Sequence, residues 1–531
     1  GYLWNAAYFA GVDWDSIATL YPYYGYGYSL LLTPLFLVAK SGIWLIRGAY
    51  LINIVLQIAS FWVIVQLLRE INNDEDSIII YIVALLTCMM PSTISNIYTV
   101  LCEVFLTFLF NVSIYFFWKI INGNTRFIWF YLFILVFMFF VHTRSLVTLA
   151  IGMLAIMLIE LKNKNWKKIF IYMFLTMGVF CLLYLMKGGI NNYKDLLRGT
   201  VEDYVDVNIV TGTMVADKIK NVDFFNYVQS FFSRIVYILV AMGFTLIPGT
   251  QIVARKINNE LKGEKNKSPK YILWIYLLFN IFVMSVASVM LGIGGDIRYI
   301  YYGRYFEFML PIFTALTMYI IVYEREHILE TRNFIVALVI IILLSWDSCY
   351  WFSNYAENVN MLVDTFRIPT LTGVITNSEN IYDVMIKIMI LGIVCCMLIY
   401  GSEKVNYIQK SAVLISLMIC IIPASFYCEK NIREIHDKAY GDTQIAEYII
   451  QNVKDEDIYM IDDNSYKYQY HYSRMQILLG KNKLNVITPE EYGKIRKGDY
   501  VIVYMTSQLN SSVLANSSHI LDGQIFSLYR Y

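Results

Sequence analysis

Apolar residues fill the chain in successive runs from residue 1 to residue 426, and only then does a polar tail appear. The runs 50–68, 98–121, 127–141, 168–186, 271–291 and 411–426 carry few charges. They approach the length that crosses hydrocarbon, about 20 residues at about 1.5 Å each for a core of roughly 30 Å. Lipid offers the backbone no hydrogen-bond partners, so each run is expected to be a helix bonded within itself. About 11 to 12 spans are expected by this measure. The stretch 28–39 is apolar but short, bracketed by Gly27 and Lys40. That length fits an interfacial or re-entrant helix better than a crossing.

The tail has another pattern. Residues 442–452 show helical spacing, 457–461 and 499–504 read as buried strands, and Thr488-Pro-Glu-Glu is a helix start. Strands alternating with helices predict a small α/β domain. The expected architecture is mainly α: a polytopic membrane helical bundle over 1–427, with an external first loop at 1–47, and an extracytoplasmic α/β domain over 428–531.

Composition agrees with a membrane protein. Of 531 residues, 58% are hydrophobic and 16% charged, with a mean hydropathy of +0.53. Soluble domains carry nearer a quarter charged residues. A net charge of +1 gives no reason to expect nucleic acid. The eight cysteines show no metal-ligand spacing.

Charge asymmetry orients the spans. Lys162, Lys164, Lys167 and Lys168 mark one inner loop, and Arg255, Lys256, Lys262, Lys265, Lys267 and Lys270 another. Counting spans outward puts residues 1–47, 91–96, 142–144, 294–304, 346–382 and the tail on the external face. The loop 188–226 also falls there, although it carries four basic residues among its acidic ones. The chain opens at Gly1 without a Met or a first apolar anchor, so an upstream segment is expected.

The external positions hold the groups that could do chemistry. Asp13 and Asp15 flank Trp14, followed by an aromatic run with Tyr24, Tyr26 and Tyr28. Carboxylates beside aromatic faces suit a sugar, and an ordinary capped loop suits them too. Glu103 stands at the external end of a span, where an ionisable residue is a functional candidate by default. Arg144, beside His142, ends another span and suits either an ion pair with Glu103 or a phosphate. Arg298, Arg304 and Tyr305 lead into a further span, and an arginine fork matches phosphate oxygens.

The stretch Gly303-Arg-Tyr-Phe-Glu-Phe-Met-Leu-Pro311 resembles the Arg-Tyr…Pro element of the GT-C membrane glycosyltransferases. That group includes protein O-mannosyltransferases and the aminoarabinose transferase of lipid A. The opening, with Ala6-Ala7, Asp13-Trp14, the tyrosine run 23–28 and Pro34-Leu-Phe36, is similar to the first external loop of that group. The resemblance covers about 1–150 and 294–312. It implies inverting transfer of a hexosyl or pentosyl unit from a polyprenyl-phosphate sugar at the external face. Arg298, Arg304, Tyr305 and Arg144 would bind the donor phosphate, and Tyr24, Tyr26 and Tyr28 the sugar or acceptor. In that group the catalytic acid opens the first external loop. Here that position falls before Gly1, so the base is expected upstream, with Asp13, Asp15 and Glu103 the visible candidates. The acceptor is a lipid, a protein or a wall polymer. No cofactor is demanded, and a divalent metal is compatible with these carboxylates.

Two other classes compete. A transporter or lipid flippase needs charges at mid-span or broken helices in two related halves, and the charges here gather at span ends. A non-catalytic cell-envelope assembly protein fits the same hydropathy pattern.

Overall fold

The computed structural model describes residues 1–14, 25–73, 75–198, 224–262, 268–292, 303–324, 331–355, 368–376, 381–402, 406–461, 470–505 and 517–531. The chain forms a mainly helical membrane protein with a small sheet near its C-terminus. Among the described residues, seven helices are long and apolar enough to cross a membrane, or nine if two bent pairs each count as one span. Four shorter apolar helices accompany them: Gly27–Val38, Thr125–Val141, Glu307–Tyr323 and Arg332–Trp346. The first matches the short stretch that hydropathy sets apart from the crossings.

Side-chain exposure gives the reason for this architecture. The span Trp166–Lys187 has a mean hydropathy of 2.3, yet only 17% of its most apolar window is buried by protein. Phe170, Phe174 and Leu185 are exposed on it. Contiguous bare apolar surface of this kind is stable against lipid and not against water. The span Glu103–Ile121 is the opposite case, with 67% of its window buried. It packs as a central helix, Phe110 edge-on to Phe308 and Phe117 stacked on Tyr276.

By compactness the chain divides into two units, one of Gly1–Ile52, Leu185–Asn208 and Arg433–Tyr531, the other of Asn53–Tyr184 and Ile209–Ile432. In the second unit two bends matter. Helices Ile78–Cys88 and Pro91–Ile97 meet at 60°. Pro91 lacks the N–H that would continue the first helix and sits instead at the start of the second, where no such bond is needed. Helices Tyr227–Ala241 and Leu246–Glu260 meet at 95°. Gly243 and Phe244 both have φ of +58° at that break. A Cβ on Gly243 would lie 2.7 Å from the Leu417 backbone, so glycine serves both the conformation and the close approach.

The first unit joins the opening segment to the tail. The tail sheet has strands β1 (Ile458–Ile461), β2 (Leu484–Ile487), β3 (Tyr500–Tyr504), β4 (Ser518–Asp522) and β5 (Phe526–Arg530) in the order β2-β1-β3-β5-β4. β1 runs parallel to β2 and β3, whereas β5 is antiparallel to β3 and β4. Helix Tyr470–Leu479 lies in the connection between β1 and β2, as a parallel pair requires. β1 and β3 are buried at every position, as continuous apolar strands should be. One face packs Ile445, Ile449, Met475, Leu478 and Phe526; the other packs Ile461, Ile487, Val501 and Val503. The helix start at Thr488 is a 3-10 helix, Pro489–Lys494, closed by a capping box between Thr488 and Glu491.

Two contacts fix this unit. Trp14 Nε1 donates to the Gly480 carbonyl at 2.8 Å, and the Trp14 ring lies edge-on to Phe36. Asp442 Oδ1 accepts backbone N–H groups from Gln524, Ile525 and Phe526 at 2.7, 2.9 and 3.3 Å. One carboxylate thereby ties the start of helix Thr443–Asn452 to the turn between β4 and β5.

Candidate functional site

In the second unit one helix start and two 3-10 turns converge, and each presents one charged side chain. Glu103 is the first residue of its helix. Arg144 sits in the 3-10 turn Thr143–Ser145 between helices Ile128–Val141 and Leu146–Lys162. His142 shapes that turn, its Nδ1 accepting the Arg144 N–H at 3.2 Å. Arg304 sits in the turn Gly303–Tyr305. Gly303 allows the Tyr237 ring to approach, since a Cβ there would lie 2.3 Å from it.

The three side chains meet on one atom. Glu103 Oε1 accepts from Arg304 Nε at 2.5 Å and from Arg144 Nη2 at 3.1 Å. Arg144 Nη1 also donates to the Arg304 carbonyl at 3.1 Å, which ties the two arginine-bearing turns together. Side-chain exposure is 2% for Glu103, 5% for Arg144 and 16% for Arg304. The Arg144 guanidinium lies 5.7 Å from the Tyr305 ring centre and 5.5 Å from that of Phe308, within cation–π range. Two guanidinium groups therefore share one carboxylate oxygen in a largely dry setting. A burial of this kind is stable only with partners on every charge, and it concentrates positive charge suited to a phosphate.

A second carboxyl lies beside the first cluster. Glu307 is buried and accepts a hydrogen bond from the Tyr237 hydroxyl, which itself accepts the Thr370 N–H at 3.3 Å. The Tyr237 ring packs edge-on against Phe306. Glu103 Oε2 and Glu307 Oε2 are both buried without a hydrogen-bond partner. Farther along the same helix as Tyr237, buried Arg234 donates to the Ser230 hydroxyl and carbonyl and to the Ser288 hydroxyl and carbonyl, at 2.6 to 3.0 Å. Those bonds make it a structural clasp between helices Phe224–Ala241 and Pro269–Gly292.

Of the residues that the sequence singles out, Glu103, Arg144, Arg304 and Tyr305 come together here. Asp13 belongs to the first unit and forms a half-exposed ion pair with Lys483 at 2.6 Å. Tyr26 and Tyr28 are fully buried there, edge-on to Phe9 and Tyr2. These two rings are packed in the protein and present no open stacking face. Asp15, Tyr24 and Arg298 lie outside the described residues. Among the described residues no group of three or more His, Cys, Asp or Glu is placed to hold a metal ion. Glu307 lies within the recognised motif, but nothing in its spacing marks it. Tyr237 sits within an apolar helix, where a tyrosine gives no signal of its own.

No family model and no curated protein matches the sequence. The fold, in contrast, is similar to that of ArnT from Cupriavidus metallidurans. The apo crystal structure of that protein aligns with a TM-score of 0.51 at 10% identity, covering 99% of this chain and 92% of the other. Its structure bound to undecaprenyl phosphate aligns equally well, at 10% identity and a TM-score of 0.51, covering 99% of this chain and 91% of that one. The chain thus shares the fold of ArnT along nearly its whole length.

Proposed function

We propose that this chain is a membrane glycosyltransferase that takes a sugar from a polyprenyl-phosphate carrier and passes it to an acceptor at the external face. The observation that carries this reading is the convergence of Arg144 and Arg304 on Glu103. A lipid phosphate arrives from the side, within the membrane, and needs fixed cations at the level of the head groups. Arginine offers a planar fork of donors that matches phosphate oxygens, and it stays charged when partly buried. The arginine-rich turns stand at span ends, where such a group would lie. The similarity to ArnT, crystallised with undecaprenyl phosphate, supports a lipid carrier. The order of the sequence motifs supports sugar transfer.

In the reaction, an acceptor oxygen or nitrogen attacks the anomeric carbon from the face opposite the phosphate. The bond from that carbon to the phosphate oxygen breaks, and its electron pair leaves with the phosphate. The configuration inverts, and the acceptor proton passes to a carboxylate. Arg144 and Arg304 stabilise the charge that grows on the leaving phosphate. Tyr305 packs against Arg144 and limits its movement. Glu103, with one oxygen occupied by two arginines, serves as the counter-charge that holds both forks in place. Asp13 and Asp15 are the proton acceptors to examine in the first loop. The tail lies on the external face with that loop.

The test is transfer of radiolabelled sugar from polyprenyl-phosphate donors into acceptors of a native membrane extract, using protein reconstituted in liposomes. Loss of a preorganised donor to developing charge costs roughly 3 kcal/mol, on the order of 100-fold in rate. Arg304→Ala is expected to lose that much while inserting normally. Unchanged transfer in Arg304→Ala would reduce the cluster to a structural clasp.

A further inference from the structure

Beside the arginine cluster lies a small cavity lined by Ser92, Thr93, Asn96, Thr107, Glu307 and Phe308, with Val104. Its position follows from the fold. The bend after Cys88 turns helix Pro91–Ile97 so that Ser92, Thr93 and Asn96 border it. Thr107 stands one turn beyond Glu103 and donates to the Glu103 carbonyl at 2.9 Å. Phe308 lines the cavity and also faces the Arg144 guanidinium. The cavity and the two arginines are therefore adjacent, sharing Phe308 and the first turn of one helix.

Most of this lining is polar, and two of its acceptors have nothing to accept. Glu307 Oε2 and Asn96 Oδ1 are buried without hydrogen-bond partners. Glu307 is 3% exposed and Asn96 5%. Buried acceptors are almost always satisfied, so two on one cavity point to an occupant that donates hydrogen bonds. Neither a phosphate nor an alkyl chain can do this: one brings only acceptors when ionised, the other nothing. A hydroxyl group can.

We infer that this cavity is a subsite for one hydroxyl of the donor sugar, which donates its single proton to Glu307, with Asn96 bordering the same space and Tyr237 as the residue that orients Glu307. The inference rests on the proposed carrier-phosphate site, because the sugar is held there by its phosphate. A hydroxyl entering the cavity fixes the rotation of the sugar about its bond to that phosphate. The anomeric carbon is thereby turned for attack, a positioning effect. A sugar lacking that hydroxyl leaves Glu307 Oε2 unsatisfied and is disfavoured, the usual source of polar discrimination.

The experiment measures the affinity of purified protein in nanodiscs for two probes, undecaprenyl phosphate and undecaprenyl phosphoglucose. Wild type is expected to bind the sugar-bearing lipid at least tenfold more tightly. Asn96→Ala and Glu307→Gln are expected to erase most of that difference while leaving bare undecaprenyl phosphate unchanged. Tyr237→Phe should narrow the difference through Glu307. Arg304→Ala should weaken both probes alike. Equal weakening of both probes by Asn96→Ala, or no change in either, would overturn the subsite and leave a bound water as the occupant. Equal wild-type binding of the two probes would overturn it as well, with the phosphate site intact. Binding of neither probe by wild type would overturn the carrier-phosphate reading, and the subsite with it.

Discussion

Arg304 Nε donates to Glu103 Oε1 at 2.5 Å, across 201 positions of sequence. Arg144 reaches the same oxygen from a third segment. Glu103 is therefore the hub through which two arginine-bearing turns are held at the ends of their spans. Removing it exposes two buried cations to each other. Breaking a buried ion pair from one side costs about 3–5 kcal/mol. Glu103→Gln is expected to lower the thermal stability of the solubilised protein by a comparable amount. Adding Arg304→Gln to it should restore part of the loss, because one uncompensated charge is then gone. Additive losses in that double-mutant cycle would show that the two residues are not coupled.

The tail depends on Asp442 in a different way. Its single oxygen accepts three backbone N–H groups around the β4–β5 turn. Asp442→Ala leaves buried donors unmet, at about 1–3 kcal/mol for the most buried of them. The expected result is a tail that is cut faster at 522–526 by added protease. Asp442→Asn keeps the acceptor oxygen and should lose less.

The opening segment is anchored by unlike contacts. Trp14→Phe removes one buried hydrogen bond to Gly480 and is expected to cost about 1 kcal/mol. Lys483→Ala removes a half-exposed ion pair to Asp13 and should cost less than about 1 kcal/mol. Hydrogen exchange at residues 2–9 would report both. A larger effect from Lys483→Ala than from Trp14→Phe would reverse this ranking.

The external placement of the tail is tested by labelling. Lys454 is exposed in the tail. Lys454→Cys is expected to react with a membrane-impermeant maleimide in intact cells expressing the chain. Reaction only after lysis would place the tail inside and remove the acceptor side from this account.

How far the sequence could be read differs from element to element. The helices Gly42–Ile71, Pro269–Gly292 and Asn406–Tyr440 were legible because lipid demands long apolar runs, and few other structures satisfy that demand. β1 and β3 were legible because strands buried on both faces read as unbroken apolar segments. β4 was not: its outer positions are exposed, and Ser518-His-Ile-Leu-Asp522 has no pattern to distinguish it from a loop. In the site, Glu103, Arg144 and Arg304 stood out individually, since charge at a span end is rare enough to notice. The sequence alone leaves Arg144 with two readings, an ion pair with Glu103 or a phosphate contact. That Arg304 joins the same oxygen depends on tertiary packing over 201 residues, and no local spacing encodes it. Glu307 and Tyr237 were invisible for the same reason. The burial of the Tyr26 and Tyr28 rings was not legible either, because a run of tyrosines carries no signal of which rings pack inward.

The most direct test of the central claim, that Arg144 and Arg304 form a site for a lipid-borne phosphate, is a binding titration with undecaprenyl phosphate and undecaprenol in nanodiscs. The two lipids differ only in the phosphate. The account predicts that wild type prefers undecaprenyl phosphate by tenfold or more, and that Arg144→Ala and Arg304→Ala each abolish the preference. Equal affinity of wild type for the two lipids, or a preference that survives both substitutions, would contradict it.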